Sequence, residues 1–102
     1  MVISFLGGTL AIVPVGANDL DRDKVGLCDV NQRLIKYADF IPPVNQKETI
    51  FHELIHACDD VVSTNEEGLS EAQVMRLSAM LFTVLRDNPG LVEMLFTDRS
   101  GE

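Results

Sequence analysis

The chain of 102 residues has no tryptophan, one tyrosine, two histidines, two cysteines and only 8 basic residues against 16 acidic ones. Each scarcity excludes something. Cys28 and Cys58 are too few for a disulfide framework and read as free thiols, small and apolar in character. A formal charge of −8 leaves no basic face to displace the counterions of a nucleic acid, and none to dock on an anionic membrane. No apolar run reaches the roughly 20 residues of a membrane-spanning helix. The longest, residues 1–17, is interrupted by Gly7, Gly8, Thr9 and Pro14. It also has no basic residue ahead of it, so it does not read as an export signal, and a cytoplasmic location is expected. With 46% hydrophobic and 24% charged residues, the chain reads as one globular domain, 1–102, with a single core.

What is present is an ordered change of pattern. Residues 1–44 read as β-rich and 45–97 as helical, which predicts an α+β fold. Residues 2–6 and 9–13 are β-branched runs, and Gly7-Gly8 between them suits a two-residue hairpin turn. Pro14 argues against a central strand at the end of the second run. Residues 25–28 and 33–37 predict two further strands around a turn at 29–32. Arg33 and Lys36 are the kind of residue that protects a sheet edge, so Leu34, Ile35 and Lys36 are a candidate edge for an extended peptide to pair with. Asn45 as cap, with Glu48 three residues on, predicts a helix from Gln46 to Ser63. Ser70 and Gln73 predict the start of a second helix. Its core stripe would be Val74, Leu77, Leu81, Val84 and Leu85, widened by Met75, Ala79 and Phe82. Asn88-Pro89-Gly90 ends it, and Pro89 can open a short last helix through Phe96, before a frayed tail. The architecture expected is a small twisted, mostly antiparallel sheet of about four strands against two main helices.

Both histidines fall in one motif, His52-Glu53-Leu54-Ile55-His56. Positions four apart on a helix lie one turn apart on the same face. Two imidazoles so placed can hold one tetrahedral zinc ion, and the Glu between them can take a proton from a water polarised by that ion. On a helical wheel, Thr49, His52, Glu53, His56, Asp59, Asp60 and Ser63 share an arc of about 120°. Ile50, Phe51, Leu54, Ile55, Cys58, Val61 and Val62 occupy the other side and would anchor the helix in the core.

Zinc needs a third protein ligand. A metzincin extension would require Gly at 59 and His at 62, where this chain has Asp59 and Val62. The candidate is Glu71, at the start of the second helix, with Glu67 and Glu66 in the preceding loop as competitors. A Glu at that place is also ordinary chemistry for the positive end of a helix. Asp59 and Asp60 are candidate acceptors for the outer N–H groups of the histidine rings.

The segment Glu48–Ala57 resembles the core of small zincin-type proteins encoded by bacteriophages, related to the ImmA/IrrE-type metallopeptidases and to minimal gluzincins. The likeness extends upstream through Val25-Gly26-Leu27-Cys28-Asp29 and Gln32–Ile35, and downstream through Leu69-Ser70-Glu71, Val74, Leu77 and Asp87-Asn88-Pro89. It implies a zincin-like fold, a Zn²⁺ cofactor held by His52, His56 and Glu71, Glu53 as general base, and hydrolysis of peptide bonds in a peptide or protein substrate. If phage-encoded, such a protein would work in the host cytosol. The chain departs from the pattern in opening on a hairpin and in having no third histidine to stabilise an oxyanion. Tyr37, Arg33 and Arg76 are left as candidates for that role. The alternative is a non-catalytic zinc-stabilised domain that binds a host or phage protein.

Overall fold

The computed structural model describes residues 1–63 and 67–97. The elements are β1 (Val2–Phe5), β2 (Gly8–Val15), a 3₁₀ turn (Ala17–Asp19), β3 (Gly26–Asp29), β4 (Leu34–Ala38), α1 (Pro43–Val62), α2 (Glu71–Asp87) and α3 (Pro89–Phe96). This is an α+β arrangement with one four-stranded sheet ordered β1-β2-β4-β3.

The sheet is mixed: two of its three pairings are antiparallel, as expected, and the central one is parallel. β1 pairs with β2, and β3 with β4, antiparallel, while β2 and β4 run parallel. The first hairpin turns one residue earlier than expected. Phe5 pairs with Gly8, and the turn residues Leu6 and Gly7 both take positive φ, 43° and 87°, as a primed two-residue turn demands. Pro14 does sit in a central strand. Ala11 donates to Arg33 in the direction of β4, and Ile12 donates to Met1 in the direction of β1. By alternation Pro14 faces β1's side, beyond the residue where β1 begins, so its missing N–H removes no ladder bond.

The strand offered as a peptide-binding edge is not an edge. β4, carrying Leu34, Ile35 and Lys36, lies between β2 and β3, and Ile35 is fully buried. Arg33 does not guard an edge either: it adopts positive φ in the turn before β4 and donates from its guanidinium to the Thr9 carbonyl at 3.0 Å. The unpaired edge beside the helices belongs to β3.

Helix α1 starts at Pro43, not Gln46. Pro42 occupies the cap position, and Pro43 sets the first-turn φ without needing its N–H, so Asn45 lies inside the helix. The helix is also rotated by about 80° from the wheel's expectation. Its buried residues are Glu53 and Ala57, with Ile50 and Leu54 packed beside Phe5, Leu10, Ile12 and Ile35. Val61, Val62 and Cys58 are exposed instead. The rotation follows from two demands on one helix: one side covers β3 and β4, while another, with Phe51 edge-on to Phe82 at 5.8 Å, takes α2.

Helix α2 opens where expected. The Ser70 hydroxyl accepts from Gln73 N–H, and the Gln73 side chain accepts from Ser70 N–H. It packs chiefly on α1 rather than on the sheet. Only Val74 and Ser78 of it are buried; Leu77, Leu81 and Val84 of the expected stripe are exposed, as is Met75. α3 begins at Pro89 and ends at Phe96 as expected. The tail beyond Thr97 lies outside the described residues. No helix among the described residues is long and apolar enough to cross a membrane.

Candidate metal centre

The centre forms where α1 meets the start of α2. His52 and His56 stand one turn apart on α1 with their ring centroids 4.8 Å apart. Their Nε2 atoms lie 3.2 Å from one another. The two carboxylate oxygens of Glu71 complete the group, Oε1 at 3.0 Å from His52 Nε2 and Oε2 at 2.7 Å from His56 Nε2. The histidine side chains are mostly buried and the Glu71 side chain is open to solvent. Among the described residues, His52, His56 and Glu71 are the one group of three or more donor side chains close enough to hold a metal ion.

Two anchors aim Glu71. The capping box fixes the first turn of α2, where Glu71 is the first helical residue. Asp59, one turn beyond His56, accepts from Leu69 N–H at 2.9 Å and from the Ser63 hydroxyl at 2.6 Å. Those bonds tie the chain just before α2 to the end of α1, and they hold the Asp59 carboxyl below the usual carboxylate range. Asp59 therefore positions the connection, not an imidazole. Asp60 is exposed on the cleft wall, and neither aspartate is a hydrogen-bond partner of either ring. The ring partner is Ser78, whose Oγ lies 3.3 Å from His52 Nδ1. Of the competitors of Glu71, Glu67 is not in the cluster, and Glu66 lies outside the described residues.

An open cleft of about 910 Å³ runs from this cluster along β3. Its walls include Gly26, Leu27 and Cys28 on one side and Met75, Ala79 and Phe82 on the other. Glu53 lines the same cleft, yet is 7% exposed. Burial pushes its carboxyl above the ordinary range, and the two imidazoles and Lys24 only partly offset this. Gly26 makes that burial possible. A Cβ there would stand 2.6 Å from Thr49 Cγ2 and 3.1 Å from Glu53 Cγ. Cys28 is no part of the cluster, and burial pushes its thiol up to about 11, so it stays protonated.

Of the residues considered for an oxyanion, none lines the cleft. Tyr37 packs against the core, Arg33 is bound to Thr9, and Arg76 is not among the residues that line the cleft. Lys24 does line it. Sequence reasoning missed Lys24, Ser78 and Gly26. A Lys in a charged loop and a Ser inside an apolar helix carry no periodic signal. The place of Gly26 inside the expected strand 25–28 was the one hint on offer, since a glycine inside a strand pattern marks a close approach.

The donor set is of a kind that could hold a small divalent cation. Ligands held at about 2.0–2.1 Å in tetrahedral directions stand about 3.3–3.4 Å apart; the two imidazole nitrogens stand 3.2 Å apart, while the Glu71 oxygens, at 3.0 and 2.7 Å from them, are at hydrogen-bonding distance and would have to draw back to admit an ion. Imidazole nitrogen and carboxylate oxygen are both donor types that zinc accepts. No protein-family model, no curated protein and no solved structure matches this chain.

Proposed function

We propose that this chain is a zincin-like, zinc-dependent peptidase. The observation that carries the reading is the convergence of His52 Nε2, His56 Nε2 and both Glu71 oxygens on one point, with Glu53 buried in the wall of the same cleft. When bound there, zinc supplies Lewis acidity toward a carbonyl oxygen and makes a neighbouring water more acidic. Glu53 is the proton acceptor. Its raised proton affinity brings it closer to the pH at which a base both accepts and returns a proton. The unpaired edge of β3 offers backbone groups to an extended peptide, and the cleft beyond it offers Met75, Ala79 and Phe82 to an apolar side chain. Lys24 is the cation available to a carbonyl oxygen that gains charge.

A serine-nucleophile reading of Ser78, His52 and Glu71 is disfavoured. Ser78 lines the cleft at 6% exposure, but its hydroxyl donates to the Met75 carbonyl at 3.2 Å, whereas a serine nucleophile would donate to the imidazole that serves as its base. The second reading is a zinc site that only joins two helices and stabilises a domain for binding another protein. It draws support from the small number of buried residues on α2, because a metal bridge contributes folding energy to a small domain.

The test is Glu53→Gln, assayed on an unbiased peptide mixture with zinc present. The peptidase reading predicts unchanged 1:1 zinc binding and a loss of cleavage of about 10²–10⁴-fold. A wild type that binds zinc, melts higher with it and cuts nothing supports the second reading.

A further inference from the structure

We propose that Ser78 is the positioning residue of the cation site, acting through His52; this rests on the zinc reading above. An imidazole that gives Nε2 to a metal must keep its remaining proton on Nδ1, and that N–H then needs an acceptor. Among the described residues, the partner of His52 Nδ1 is Ser78 Oγ, at 3.3 Å. A serine hydroxyl has one proton and two lone pairs. Here the proton has its own destination, the Met75 carbonyl three residues back at 3.2 Å. The oxygen is thereby turned lone pair outward, toward the ring. The chain of donation runs from His52 Nδ1–H to Ser78 and from Ser78 to Met75, and it ends on the backbone of α2.

The same arrangement accounts for the burial of a polar residue on the face of α2 that meets α1. Ser78 lies one turn after Val74 and one turn before Phe82, both of which face inward. An apolar residue would pack there at lower cost, since a buried hydroxyl needs a partner. Two partners are present, one on each helix. Ser78 also places the histidine relative to Glu71: one residue of α2 ligates, another seven positions along orients the ring, and both act on His52.

The experiment is a zinc titration of the full chain at pH 8, where free imidazoles are neutral, for wild type, Ser78→Ala and Ser78→Thr. Alanine favours helix and fits the space, so the variant should fold, with a metal-free melting temperature close to that of the wild type. Its zinc affinity should fall by about 10–100-fold. Ser78→Thr, which restores the hydroxyl, should recover most of that loss. In the zinc-loaded wild type, ¹⁵N spectra should show the His52 ring protonated on Nδ1 and slow to exchange, and in Ser78→Ala that proton should exchange with water. Equal zinc affinity in wild type and Ser78→Ala, with an unchanged Nδ1 proton, overturns this role and leaves the zinc site standing. A wild type that binds no zinc overturns both.

Discussion

Glu53 carries the largest conflict between a residue and its place. A carboxylate on the buried side of α1 costs stability when ionised, and its folded-state pKa lies above the ordinary glutamate value. The folded chain therefore binds that proton more tightly than the unfolded chain does. This contribution is present below the unfolded pKa of about 4.3 and is lost as pH rises through the folded value. In metal-free protein, Glu53→Gln should melt higher than wild type at pH 7–8, with the gap closing toward pH 4. Thermal melts across that range check it, and a gap independent of pH contradicts it. Gly26→Ala should crowd Thr49 and Glu53 and destabilise by about 1–3 kcal/mol. Thr49→Ser removes the nearer of the two contacts, so adding it should recover part of the loss, measured by denaturant unfolding. At this scale His52, Glu53 and His56 were legible because one local motif holds all three. Glu71 was legible as one of several acids near a helix start. Ser78 matters through His52, 26 residues away, and Gly26 through Thr49 and Glu53 on another element, and no local pattern encodes that.

The elements show where periodicity helps and where it misleads. The extent of α2, its capping box and the start of α3 at Pro89 follow from local chemistry and could be read directly. The faces could not. Helix α2 meets another helix through a narrow stripe, Val74, Ser78 and Phe82, while its apolar residues cover a wider arc than that contact can bury. Helix α1 serves two partners, so its buried face is turned away from the centre of its apolar arc. Likewise, charge on β4 suggested an edge, but Arg33 is engaged by Thr9 and the strand is enclosed on both sides. The consequence for stability is specific. Val74→Ala, at a fully buried position, should cost about 2 kcal/mol. Leu81→Gln, at a position 40% exposed, should cost about 0.5 kcal/mol or less. Equilibrium denaturation of the two variants decides between this packing and the symmetric stripe expected from spacing alone, which makes Leu81 the costlier change.

Across the whole molecule, a four-stranded sheet carries α1, and α1 carries both α2 and the histidines. The candidate centre sits at the junction where α2 begins, held in register by the capping box and by Asp59. A cation bound there would link the two helices directly, and the cleft along β3 would open onto it. The most direct measurement is X-ray absorption at the zinc edge on protein loaded with one equivalent of zinc and freed of excess metal. Two imidazole nitrogens and carboxylate oxygen at about 2.0–2.1 Å, with the metal lost in His52→Ala, His56→Ala and Glu71→Ala, is the result predicted. Zinc that washes away from the wild type, or a shell of oxygen ligands alone, contradicts it.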